Sequence, residues 1–301
     1  MLNSSDWLRM LNTSNSSQER DIGNSCSCIC RRAALAQTCR CVVCALESSS
    51  HGSQGRLAAT MFDELRVFYE LLDELERRVG GKRLLRDCSG RMNWPERGVY
   101  FFFENGERQS ASGDRPRVVR IGTHALKTAS KTTIWKRLSQ HKGTGRTGGG
   151  NHRGSIFRLL VGEALMRRDE WDGLETWGVK GDAGAAAEQH GLSRSDMRSR
   201  ELPMEIAVSD FIGAMPFLWV AVNDEAGPTS DRGVIERNAI GLLSAPGSNN
   251  ADPSSEAWLG RHSSRERVVR SGMWNNNHVG DGYDPGFLQT LERHIASTPR
   301  L

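Results

Sequence analysis

The sequence predicts an α+β protein: a small three-stranded, mainly antiparallel sheet flanked by helices, with an acidic insertion and further helices added. Three observations carry this. Short runs rich in β-branched and aromatic residues stand at 99–103, 118–121 and 217–222, each bounded by turn residues or proline. The first two lie one polar loop apart, which makes them a hairpin and so antiparallel. Around them, apolar residues recur at steps of three and four, the spacing of one helix face.

The first 60 residues differ from the rest. They hold 11 serines and little periodic apolar pattern, and are expected to be a disordered Ser/Cys-rich extension. Patterned sequence begins abruptly at Met61, which raises the expectation that Met61 is the true start and that 1–60 is a translated upstream region. Six of the 7 cysteines, Cys26, Cys28, Cys30, Cys39, Cys41 and Cys44, crowd into this stretch. Only Cys41 and Cys44 have the C-x2-C spacing of a zinc hook.

A helical segment fills 61–96. Phe62, Leu65, Phe68 or Tyr69, Leu72, Leu75 and Val79 form its apolar stripe, and Gly80 and Gly81 stop it. Strand 99–103 follows and ends at Glu104-Asn105-Gly106. Side chains alternate along a strand, so Phe101 and Phe103 face one side and Tyr100 and Phe102 the other. A polar loop leads to strand 118–121. Helix 132–141 carries Ile134, Trp135 and Leu138 on one side. Residues 143–151 are a flexible glycine-rich loop, lacking the G-K-[ST] ending of a phosphate-binding P-loop. A helix is expected over 155–166, an acidic insertion over 169–204, a strand over 217–222 and a helix over 231–244. Residues 251–301 form a C-terminal extension packing on the core, with helices at 265–270 and 285–295.

Composition narrows the function. The chain has 301 residues and a net charge of +4, enough for one large domain or two small ones. No run of about 18 apolar residues is present to cross a membrane, and no apolar leader opens the chain. The predicted compartment is the cytoplasm. Charge is segregated: residues 115–168 hold 13 Lys or Arg against one acid, Glu163, whereas 169–210 hold 10 acids against 4 bases. Such a basic block fits an anionic partner such as a phosphate backbone, or a solvated basic face.

Several polar residues interrupt these elements. Arg137 and His141 are four apart and share a helix face, with Lys136 and Lys142 beside them. Glu236 sits among apolar neighbours and needs a partner, a solvent opening or a metal. Each has a plainer reading: Tyr100 as a core aromatic bonded to a backbone carbonyl, Arg137 as a surface arginine, His141 as a helix C-terminal residue meeting the dipole, and Glu236 paired with Arg237 or Arg232.

Taken in order, these features resemble the GIY-YIG nuclease superfamily. Gly98-Val99-Tyr100 matches its first motif, with Val for Ile, and Arg120-Ile121-Gly122 its second, with Arg for the second Tyr. Arg137 matches the helix arginine, His141 the His or Tyr one turn later, and Glu236 the metal-binding glutamate. Asn249 is the best match for the family asparagine, with Asn250 next. The resemblance spans about residues 97–250, less the insertion. It implies a divalent-metal-dependent endonuclease hydrolysing DNA, in double-stranded form. Glu236 would hold one Mg²⁺ or Mn²⁺, Arg137 would clamp the phosphate, and Tyr100 with His141 would activate water. Arg120, Lys127, Lys136, Lys142, Arg153 and Asn249 would contact phosphate. His124 or Lys127 could replace the proton acceptor lost with the second tyrosine. The amide-rich run Gly272 to His278 reads either as a reader of base edges or as a polar turn packed by Trp274. The competing reading is a non-catalytic nucleic-acid-binding module that keeps the fold.

Overall fold

The computed structural model describes residues 42–179, 181–244 and 252–300, with side chains from Thr60 onward. The chain divides into two units, Met1–Glu47 and Ser48–Leu301, and the second contains every described strand. The thiols of the cysteine cluster lie outside the described residues.

Helix α1 (Val42–Arg78) begins well before the expected Met61. Its stripe of Leu65, Phe68, Tyr69, Leu72 and Leu75 is buried, and Gly80 and Gly81 end it at positive φ. Strand β1 (Arg83–Leu84) follows, then β2 (Gly98–Arg108) and β3 (Pro116–Gly122). Helices α2 (Ile134–Lys142) and α3 (Ile156–Arg168) come next, capped by Thr133 and Ser155. The acidic stretch folds into α4 (Ala183–Gln189) and α5 (Arg194–Gly213). Strand β4 (Pro216–Ala221), α6 (Asp231–Leu243), α7 (Glu266–Ser271) and α8 (Phe287–Ser297) complete the unit.

The sheet has four strands rather than three, in the order β1-β4-β2-β3, with every pair antiparallel. The added strand, β1, is two residues long, too short to carry any periodicity. The hairpin forms as expected, but β2 does not stop at Glu104–Gly106. It continues to Arg108 through register shifts, helped by Gly106 at φ 91°.

The aromatic run divides between two cores. Val99, Phe101 and Phe103 face one that includes α1, α6 and α8. Tyr100 and Phe102 face the other, built from α2, α3, α5 and two tryptophans, Trp258 and Trp274. Both faces of β2 are therefore covered. The insertion takes part in this packing: Met204, Val208 and Ile212 of α5 are fully buried in the second core. No helix among the described residues is long and apolar enough to cross a membrane.

The C-terminal residues lock onto the hairpin through buried polar groups. Glu104 Oε2 accepts both indole N–H groups, from Trp258 and Trp274, each at 3.0 Å. Glu107 accepts from Arg117 Nη2 at 2.8 Å and from the Ser255 backbone at 3.1 Å. Burial pushes the Glu104 carboxyl up to about 7, against the pull of the two indoles.

Because that value exceeds the one in the unfolded chain, the folded state holds the extra proton. Its contribution to stability is complete below about pH 4.5 and is lost as pH rises through about 7. The loss is at most about 3 kcal/mol. Urea unfolding at pH 5 and pH 8 should show this decrement in the wild type and its disappearance in Glu104→Gln, which still accepts both indole bonds.

Candidate functional site

The site forms where β2 begins and β3 ends. In the β2–β3 register Tyr100 lies opposite Gly122, and on its other side opposite Trp219 of β4. Two glycines make this possible. A methyl group at Gly122 would lie 2.3 Å from Tyr100 Oη, so only glycine leaves room for the phenol. A methyl at Gly98 would lie 2.4 Å from the Val220 carbonyl oxygen, inside the neighbouring strand.

Helix α2 brings its polar pair to this point because Ile134 and Leu138, both fully buried, fix its inner face. His141 is also fully buried. Its Nε2 is 2.8 Å from Tyr100 Oη and its Nδ1 is 2.7 Å from Ser155 Oγ, the same oxygen that caps α3. Arg158 Nη1 donates to the His141 carbonyl at 2.8 Å. Burial, with Arg137, Arg120 and Arg158 nearby, holds the imidazole well below its ordinary pKa, so it is neutral. The hydroxyl of Tyr100 thus bonds to a side chain rather than to the backbone carbonyl of the plainer reading.

Arg137, half-buried one turn earlier, donates to Gln140 Oε1 at 2.8 Å and to the Gly154 carbonyl at 3.2 Å. Arg120 is buried, with Nη1 donating to the Trp274 carbonyl at 2.5 Å and its guanidinium 5.5 Å from the Phe157 ring centroid. Burial lowers its pKa, while Tyr100 and Glu236 act in the opposite direction.

Glu236 projects from α6, whose Ile235, Ala239 and Ile240 anchor it in the first core. Its Oε1 accepts the Thr123 N–H at 3.1 Å, one residue past Gly122. Burial raises the carboxyl, and Arg120, His278, the Thr123 bond and Arg137 draw it back. It pairs with neither Arg232, which binds Asp224, nor Arg237. Tyr100, Arg120, Arg137, His141 and Glu236 therefore form one electrostatically connected group at the sheet end.

The remaining expected residues separate. Lys127 and Lys136 are exposed. Lys142 donates to the carbonyls of Arg86 and Cys88, at 2.8 and 2.5 Å, which ties its ammonium to the loop before β2. Arg153 is half-buried, and both its terminal nitrogens bind Glu201, at 2.7 and 2.9 Å. Asn249 and Asn250 lie outside the described residues. His124 Nδ1 is 2.7 Å from the Thr132 carbonyl, its Nε2 is buried without a partner among the described residues, and burial lowers its pKa to about 4.

Three further contributors were not assigned a place in the site from the sequence, although two of them, Asn275 and His278, lie in the amide-rich run Gly272 to His278. Ser155 orients His141. Asn275 bonds both the N–H and the carbonyl of Ile121, at 3.2 and 2.9 Å, along the free edge of β3. This favours the polar-turn reading of that run, with Trp274 buried in it. His278, at φ 62° with Nδ1 3.3 Å from Asp281 Oδ2, adds a ring near Glu236. The signal for Ser155 was its position at the start of the helix expected over 155–166.

A metal ligand set can be tested on this arrangement. Among the described residues, no three His, Cys, Asp or Glu side chains gather as a ligand cluster. Glu236 Oε2 makes no hydrogen bond to the described residues, and a single hard oxygen suits an ion such as Mg²⁺ that keeps waters and binds substrate phosphate.

A Gly-x-Tyr strand facing an Ile-Gly strand, with arginine and histidine on the next helix and glutamate on a later one, is the pattern of a GIY-YIG-type domain. A family model described as "GIY-YIG domain" matches residues 59–301. The chain belongs to this family, and so to a nuclease family. No curated protein and no solved structure matches it significantly.

Gly122→Ala should force the Tyr100 ring aside and break its bond to His141. Urea unfolding should register a loss of about 1–3 kcal/mol.

Proposed function

We propose that the protein is a divalent-metal-dependent endonuclease that hydrolyses DNA phosphodiester bonds, with double-stranded DNA as substrate. The observation that supports it most is the 2.8 Å bond between Tyr100 and His141 beside Arg120 and Glu236. Ser155 Oγ already accepts the Arg158 N–H, so its remaining lone pair is filled when His141 carries its proton on Nδ1. Nε2 is then bare and takes the Tyr100 O–H. The phenol oxygen turns its lone pairs away from the ring and receives a proton from the attacking water as its own passes to Nε2.

Arg120 gives this chain a different device from a second tyrosine. A guanidinium beside the phenol stabilises negative charge developing on its oxygen. The surrounding cations oppose protonation of His141, and the substrate phosphate supplies the compensating negative charge once it is bound. Arg137 grips a non-bridging phosphate oxygen. Glu236 would hold Mg²⁺ or Mn²⁺ through Oε2, and the ion, when bound, acts as a Lewis acid on the phosphate and the leaving 3′ oxygen.

One observation favours the second reading, a binding module without catalysis: Tyr100 and His141 are sealed from solvent. The enzyme reading therefore requires the cover over Tyr100 to shift when substrate binds.

Incubation of supercoiled plasmid with Mg²⁺ or Mn²⁺ decides between the readings. The wild type should nick or linearise it. Tyr100→Phe should slow the reaction by about 10²–10⁴-fold, and Glu236→Gln should abolish it. If wild type and Glu236→Gln both bind DNA and neither cuts, the enzyme reading is wrong.

A further inference from the structure

We propose that the groove between the glycine-rich loop and helices α4 and α5 is a track for the phosphate backbone of the nucleic acid, continuous with the site around Arg137. It rests on the nuclease reading for its partner but on separate residues for its evidence.

The groove has two lobes, with cavity volumes of 330 and 460 Å³. They share Asn151, Arg153 and Arg198 as a common wall. The second lobe reaches Gly154, whose carbonyl accepts from Arg137. One backbone group thus borders both the groove and the proposed phosphate clamp, which gives a strand leaving the site a path along the surface.

The charge arrangement selects the occupant. Glu201 and Glu205 line the groove, but both turn inward. Glu201 is bound by Arg153 and by the Thr176 hydroxyl at 2.7 Å. Glu205 is held by Arg158, at 2.5 Å, and by His152, at 2.9 Å. Asp182 caps α4 and lies 3.5 Å from Arg194. Arg146, from the loop, and Arg198, from α5, are exposed and make no ion pair among the described residues. The Thr144 and Thr147 oxygens accept backbone N–H groups at 3.3 Å, so their hydroxyl protons are free to point outward. The wall offers cationic and hydroxyl donors, which suits the repeated oxyanions of a phosphodiester chain.

The loop is built to hold this wall. It closes on itself through Thr144 N to Gly149 O, 2.8 Å, and Gly148 N to Thr144 O, 3.0 Å. At Gly150 a methyl group would collide with the Arg158 guanidinium at 2.2 Å. The glycine-rich loop thus carries hydrogen bonds of its own and displays Arg146.

The test is fluorescence anisotropy of a labelled 30-base-pair duplex with the full chain in EDTA, over a range of salt. Arg146→Ala/Arg198→Ala should weaken binding at least 10-fold. It should also reduce the slope of log K against log salt by about 2, two phosphate contacts at about 0.9 each. A charge-matched control on exposed arginines elsewhere, Arg66→Ala/Arg270→Ala, should leave both unchanged. Equal affinity and slope for wild type and the groove variant would overturn the proposal, as would equal losses in groove and control variants. The two readings fail separately. Loss of binding in the groove variant, without cleavage by the wild type, supports the track and removes the nuclease. Cleavage by the wild type with unchanged binding in the groove variant does the reverse.

Discussion

The first half of strand β2 has no solvent face, and the rest of the molecule is arranged around that constraint. From Gly98 to Phe103 every residue is buried, with helices on one side and helices and indoles on the other. A phenol placed there must find its hydrogen bond inside the protein. It finds His141, which in turn needs a partner for Nδ1 and finds Ser155, the cap of α3. Arg158, three residues on, binds the His141 carbonyl and is neutralised by Glu205 of α5. Satisfying one hydroxyl therefore recruits three helices. The pair Arg158 and Glu205 is deeply buried, and removing one partner of such a pair costs about 3–5 kcal/mol. The placement of Tyr100 and His141 therefore depends on that buried pair.

The other wall of the site comes from far along the chain. Trp274 donates its backbone N–H to the Val119 carbonyl at 2.7 Å, and Asn275 pairs with Ile121 through its side chain. Together they cover the open edge of β3, which would otherwise present unpaired groups. The Trp274 carbonyl then receives Arg120, and its indole binds Glu104. The C-terminal extension is therefore part of the site, and the family match reaching residue 301 agrees with that.

What was legible in the sequence came from periodicity. The alternation of Tyr100 and Phe102 against Phe101 and Phe103 appears as expected, because a paired strand leaves no other arrangement. The hairpin and the helices bearing Arg137, His141 and Glu236 were visible for the same reason. Strand β1 was not, since two residues have no period. Helix α5 was obscured by Pro203 in its interior and by carboxylates that composition records as a solvated acidic surface. Tertiary pairing decided otherwise, and no local pattern encodes a partner about 50 residues away.

Tertiary pairing also decides which cations of the basic block remain open to a phosphate. Counting cations between 115 and 168 treats all of them as available. Arg117, Arg153 and Arg158 neutralise buried glutamates, and Lys142 binds carbonyls. The acidic insertion is the complement of that block: Glu201 and Glu205 take up two of its arginines from within. Arg120 differs: it is buried with no carboxylate in salt-bridge contact among the described residues, against the Trp274 carbonyl and the Phe157 ring and beside Tyr100 and Glu236. A cation left in that condition gains more from an arriving oxyanion than a solvated one does, because its desolvation has already occurred on folding. Where the resemblance puts a second tyrosine, this chain thus carries a buried cation with no carboxylate in salt-bridge contact among the described residues.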